Sequence, residues 1–299
     1  MERLLNDRWQ FQKLGKGSTL ADALRGRWQP VALPHDWLIA QANDLYETCD
    51  GWYMRSLTFS EDELVKCVII RFDGVYMDCD VLLNGEVILS HPYGYTAFDA
   101  DLTGHLRLGE NQLMVHVRHQ SPNSRWYSGA GIFRDVTLHL LDKCHILPDG
   151  VYVVLRQQGD LWQADISAEL SCPDDTLTLT HRLVDAEGNT VAEAACPASS
   201  SLVRCSLTVD NPHLWSHKSP YCYQLHTTLG NQVLRQNIGL RHIELDPDKG
   251  LLVNGEPVKL NGVCLHHDLG ALGSAFHEKA ARRQLRLMQE MGVNALRTS

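Results

Sequence analysis

The stretch Val258-Lys-Leu-Asn-Gly-Val-Cys-Leu-His-His-Asp-Leu-Gly270, followed by a helically spaced segment and then Gly292-Val-Asn-Ala-Leu-Arg-Thr-Ser299, reads as strand, loop, helix, strand. Lys259 to Leu265 is an apolar strand with a glycine inside it. From Glu278 to Met291, residues Ala281, Leu285 and Met288 share one helical face, widened by Leu287 and Met291. Gly292 stands where a helix places its C′ glycine, and Val293 to Leu296 resumes a strand. Such a unit opens a parallel α/β structure, because parallel neighbours need a crossover connection. One unit neither closes a barrel nor covers a sheet. The expectation is the front part of a larger enzyme.

Everything before this stretch is patterned as β-structure. In residues 1–142, Asp50 to Phe59, Asn111 to Val117 and Asp135 to Leu140 alternate apolar with polar residues. Asn84-Gly85 sits between two β-rich runs, a strong hairpin signal. Many short strands with almost no helical period predict a sandwich of jelly-roll type. Residues 143–241 repeat the alternation at Trp162 to Leu170, Leu177 to Leu183, Val203 to Val209 and Tyr221 to Thr228. About seven strands in roughly 100 residues is the size of an immunoglobulin-like sandwich. Residues 242–299 open with a hairpin around Asn254-Gly255 and contain the strand–helix–strand.

The 299 residues carry a net charge of −9 and no basic cluster, which argues against a nucleic-acid partner and for a neutral or weakly polar one. No apolar run is long enough to span a bilayer, so no membrane partner is expected. The N-terminus has no signal-type apolar region, which predicts a cytoplasmic protein, although a removed signal would leave the same sequence. The nine cysteines are scattered and never form C-x-x-C. They read as small buried residues in a reducing compartment rather than as zinc ligands.

Taken in order, several segments resemble glycoside hydrolase family 2, the β-galactosidase, β-glucuronidase and β-mannosidase family. They are Leu33-Pro-His-Asp-Trp37, Gly51-Trp-Tyr53, Arg71-Phe-Asp-Gly-Val75, Val81-Leu-Leu-Asn-Gly85, Gly109 to Leu113, Ser124 to Asp135, Asn211 to Trp215, Gly239-Leu-Arg241 and Leu252 to Ser299. The resemblance implies a jelly-roll sugar-binding domain, an immunoglobulin-like domain and then the start of a (β/α)8 barrel. The phrasing from Gly262 to Gly273 looks most like bacterial β-galactosidases. Retaining glycosidases use two carboxylates about 5 Å apart. The resemblance places both glutamates beyond Ser299, so no catalytic residue is assigned in this chain, which by itself is expected to be inactive. Glu278 and Glu290 match neither motif.

His266, His267 and Asp268 follow the first barrel strand and Arg297 lies near the end of the second. Active sites of barrels gather at these strand ends, and the resemblance makes the four residues substrate-binding. Their polar groups suit sugar hydroxyls, and a guanidinium can orient a carboxylate bidentately. No metal site is assigned, since adjacent residues rarely point at one ion. No cofactor is expected, although a cation in the full-length enzyme stays open, as does a homo-oligomer. His35-Asp36-Trp37 and Arg125-Trp126-Tyr127 are read as structural junction loops, and His91 to Tyr95 receives no catalytic role. The expected partner is a β-galactoside. Two alternatives are a stand-alone carbohydrate-binding or interaction module, and a glucuronidase or mannosidase of the same family.

Overall fold

The computed structural model describes residues 1–41 and 43–298. It is mostly β and divides into two compact units. The first joins Met1–Leu141 with the segment from Gly262 onward; the second is Asp142–Asn261.

The first unit is built on a six-stranded and a four-stranded antiparallel sheet. At the centre of the larger sheet, Gly109–His119 pairs on one side with Cys49–Phe59 and on the other with Asp78–Leu83. Its alternation sends Leu113, Val115 and Val117 into a core with Phe11, Tyr53, Phe59, Ile70, Phe72 and Leu138. Met114 points the other way yet is also buried. It packs with Trp52, Leu82 and Ala23, the last of these on the short helix Leu20–Arg25. Thr19 and Asp22 close a capping box at that helix's N-terminus. The Asn84-Gly85 turn has both residues at positive φ, 53° and 88°, as the predicted tight hairpin requires.

The same unit holds the parallel pair. Gly262–Leu265 and Ala295–Thr298 run side by side, joined by the helix Glu278–Glu290. Gly292, at φ 83°, ends that helix, with the Gly292 and Val293 amides donating to the Gln289 and Met288 carbonyls. The helix buries none of its residues, and Leu285, Leu287 and Met291 are exposed.

The second unit sets a three-stranded sheet, Ile146–Gln158, Leu161–Leu170 and Leu202–Asp210, with a four-stranded one, Thr190–Pro197, Thr178–Val184, Tyr223–Leu229 and Gln232–Ile238. Trp162, Ile166, Leu179, Leu183, Leu207 and Leu225 fill their shared core. The hairpin strands Ile243–Asp246 and Gly250–Val253 also lie within this unit.

The cysteine reading needs one correction. Cys196 and Cys205 form a disulfide, and the other seven cysteines keep their thiols. The two lie on edge strands of different sheets with Cα atoms 6.5 Å apart, within bonding range. Nine residues of separation and no motif gave no hint of the pair. Titration of the unreduced, denatured chain should therefore find seven thiols; nine would remove the bond.

His181 is fully buried in the second unit, with Nδ1 3.0 Å from Thr227 Oγ1 and Nε2 without a partner. Burial pushes its pKa down to about 4. The unfolded chain therefore binds this proton more readily, so stability should be full above pH 6.5 and fall as pH drops toward 4. The loss should be on the order of 3 kcal/mol. Denaturation of wild type and His181→Leu between pH 7 and pH 4 checks this: the variant should show a shallower decline.

Candidate active site

The loop leaving strand Gly262–Leu265 carries His266, His267 and Asp268, then a short 3-10 turn, Gly270–Leu272, and Ser274. Within the first unit it lies against three segments of the sandwich. His267 Nε2 is 3.0 Å from the Ser128 carbonyl oxygen, and the Phe276 amide donates to the Phe133 carbonyl at 2.9 Å. The third tie is to Asp36. Its carboxylate, only 4% exposed, accepts five hydrogen bonds. Oδ1 takes the amides of Leu38 at 3.0 Å and Ala130 at 3.1 Å. Oδ2 takes the Tyr127 hydroxyl at 2.6 Å and both the amide and hydroxyl of Ser274, at 2.8 and 3.0 Å. Burial, then the bond to Asp36, raises the Tyr127 pKa well above the usual phenol value.

Glycines make room for this carboxylate. Gly129 and Gly273 sit at φ +66° and +62°, and a Cβ on either would overlap Asp36 Oδ2. Gly131, at φ +138°, would drive a Cβ into the His35 carbonyl and to 2.6 Å from the Tyr53 hydroxyl.

Aromatic rings surround the two histidines. The Trp126 ring lies 5.1 Å from His266, while Tyr95 and Phe133 lie 5.4 and 5.6 Å from His267. Trp126 Nε1 donates to the Tyr95 hydroxyl at 3.2 Å. Burial lowers the His267 pKa and pushes that of Tyr95 up to about 12. Nδ1 of both His266 and His267 is buried without a hydrogen-bond partner.

The expected site residues are partly brought together. His266, His267 and Asp268 share the loop. Arg297 is exposed on the neighbouring strand, in register with Cys264, its Nη1 3.8 Å from Cys264 Sγ. The parallel register puts Arg297 on the Cys264 side of the pair, while His266 lies beyond the strand end. Among the described residues no three His, Cys, Asp or Glu side chains are grouped as metal ligands. Glu278 is exposed and pairs with Arg282 at 2.7 Å. A cavity of about 210 Å³ behind the loop is lined by Phe133, Leu265, His267, Phe276 and Thr298. A larger groove, about 620 Å³, runs along Arg282, Leu285, Met288 and Val293, and among the described residues no carboxylate side chain lines it. The carboxylate hub of Asp36 and the rings of Tyr95 and Trp126 were not singled out as site residues by sequence. The sequence reading of His35-Asp36-Trp37 and Arg125-Trp126-Tyr127 as junction loops agrees with the bonds that join Tyr127 and Ser274 to Asp36, but it did not give the partner, and the small residues Gly129-Ala-Gly131 and Gly273-Ser274 were a further signal.

Three family models match in chain order. "Glycosyl hydrolases family 2, sugar binding domain" covers residues 6–142, "Glycosyl hydrolases family 2" covers 144–241, and "Glycosyl hydrolases family 2, TIM barrel domain" covers 243–299. The chain belongs to glycosyl hydrolase family 2. Among family 2 relatives, a β-galactosidase of Bacteroides ovatus is 36% identical over 98% of this chain and 38% of its own length. A β-glucuronidase of Bacteroides fragilis is 30% identical over 98% of this chain and 45% of its own. A family 2 crystal structure from Bacteroides cellulosilyticus superposes with a TM-score of 0.87 at 30% identity, covering all of this chain and 44% of that one. An FMN-binding β-glucuronidase from Faecalibacterium prausnitzii gives 0.89 at 26% identity, covering all of this chain and 48% of that one. The chain thus spans less than half the length of each of these relatives.

The close approach at Gly131 supplies a stability test. Gly131→Ala should destabilise the first unit by about 2 kcal/mol or more, since the strained φ and the backbone clash add. Urea unfolding read on that unit measures it; a loss below about 0.5 kcal/mol, the range of a neutral surface change, would contradict the packing.

Proposed function

We propose that this chain is the N-terminal portion of a retaining exo-glycosidase acting on β-galactosides. It comprises a sugar-binding sandwich (1–142), an immunoglobulin-like sandwich (143–241) and the barrel start (242–299). The observation that carries the reading is the parallel pair Gly262–Leu265 and Ala295–Thr298, whose C-terminal loop brings His266, His267 and Asp268 into one place. That is the end of a barrel at which chemistry is done. The choice of galactoside is supported by the 36% identity to the Bacteroides ovatus β-galactosidase. A β-glucuronidase is the second reading, favoured by the Bacteroides fragilis relative.

In this proposal the two reacting glutamates come from later barrel strands, and this chain supplies binding and orientation. Arg297 holds a carboxylate by two parallel N–H donors. His267, kept toward its neutral form by burial and tied at Nε2 to Ser128, stays in place as a polar wall rather than a cation. His266 and Asp268 meet sugar hydroxyls. Displacement by paired carboxylates needs no organic cofactor, and none is proposed. The proposed partner is carbohydrate. No described helix is long and apolar enough to cross a membrane. A cytoplasmic location is supported by the unpatterned cysteines, whereas the Cys196–Cys205 bond favours an oxidising compartment.

The full-length protein, assayed on nitrophenyl β-galactoside, β-glucuronide and β-mannoside, should turn over the galactoside with the highest kcat/KM. Preference for the glucuronide would replace the substrate assignment. No hydrolysis of any of the three would remove the enzyme reading. Residues 1–299 alone should show no turnover.

A further inference from the structure

We propose that Asp36 is a positioning residue: its carboxylate fixes the loop from His266 to Phe276 and thereby sets the two imidazoles on the substrate side. The catalytic half of this inference rests on the glycosidase reading above; the structural half does not.

The loop has little internal structure to hold its shape. Its own backbone bonds are Leu269 to Gly273 at 2.7 Å, Gly273 to Gly270 at 2.9 Å, and the longer contacts Leu272 to Leu269 and Ala275 to Leu272. The following helix adds one long contact, Gln284 Nε2 to the Asp268 carbonyl at 3.4 Å, and the sandwich holds the loop at three points, at two of which the acceptor is a backbone carbonyl, Ser128 or Phe133. Asp36 is the side-chain acceptor of the set. One of its oxygens, Oδ2, takes Ser274 through both amide and hydroxyl, and the same oxygen takes Tyr127. The other oxygen takes two backbone amides of the sandwich, Leu38 and Ala130. The group therefore joins the sandwich to the loop through a single rigid plane.

That division of labour makes asparagine a poor replacement despite its shape. With the amide nitrogen in place of Oδ2, the Ser274 amide faces a donor. With the amide turned over, the Leu38 and Ala130 amides face one instead. Neither orientation satisfies every buried N–H, and each unsatisfied group favours opening of the loop. No lysine or arginine among the described residues pairs with Asp36, so no cation keeps the geometry when an acceptor is lost.

The test compares the full-length protein with Asp36→Asn and with the double variant Tyr127→Phe/Ser274→Ala, which leaves the carboxylate intact and keeps the proposal decidable if Asp36→Asn fails to fold. Hydrogen exchange should rise at least about tenfold for amides in 266–276 in either variant, with Gly109–His119 as protected as before. For the nitrophenyl glycoside that wild type hydrolyses, KM should rise about tenfold while kcat per folded molecule changes less than about threefold. A merely structural Asp36 would lower the melting temperature and the folded fraction without moving KM. Unchanged protection of the loop, or loosening spread evenly over the sandwich, overturns the inference. So does a loosened loop with unmoved KM in an active enzyme. If wild type hydrolyses no glycoside, the glycosidase reading fails and the exchange pattern alone decides whether Asp36 positions the loop.

Discussion

A carboxylate withdrawn from water and given no cation is costly unless its oxygens are fully hydrogen-bonded. Asp36 meets that condition with five donors drawn from its own turn, from the Tyr127–Ala130 segment and from Ser274. Much of the local sequence follows from it. Glycines at 129 and 273 are required because a Cβ would occupy the oxygen's place. Ser274 offers two donors in one residue. Tyr127 brings a hydroxyl without bringing charge. The aromatic surroundings of His266 and His267 then have fixed walls to sit between.

The fold was largely legible from the chain, and the reason is periodicity. Period-two alternation in Trp162 to Leu170 reports a sheet with one face turned to a core, and that segment is such a strand; the alternating Asn111 to Val117 is a strand too, but one buried on both faces. Asn84-Gly85 marked its hairpin because two consecutive residues at positive φ admit few side chains. The helix expected over 278–291 spans Glu278–Glu290, and the strand expected from Val293 begins at Ala295. The delay arises because the Gly292 and Val293 amides are occupied in closing the helix end.

The site was less legible because its contacts are not local. A loop of His-His-Asp after a barrel strand can be read in sequence. That His35-Asp36-Trp37 is a junction loop was legible, but that Asp36 holds the backbone at Ser274 was not, since no periodicity links residues so far apart. The disulfide escaped for the same reason: Cys196 and Cys205 face each other only once two separate sheets are assembled. Met114 shows the remaining gap, an outward-facing position whose burial depends on a six-residue helix elsewhere in the chain.

The bond from Ser274 to Asp36 joins residues 238 apart, and the whole second unit lies between them in the sequence. On a ribosome, chains emerge N-terminus first and domains fold as units. The sandwich must therefore assemble with the Asp36 oxygen that awaits Ser274 still hydrated. It stays so while the 120 residues of the intervening unit, Asp142 to Asn261, are made and folded. Arrival of Ser274 fills that seat, and only the helix Glu278–Glu290 and the strand Ala295–Thr298 of the first unit follow it. A nascent chain stalled before that point would hold two formed sandwiches and an open seat, so the maturation of this protein has a built-in order in which the His266–Phe276 loop is seated only after both sandwiches.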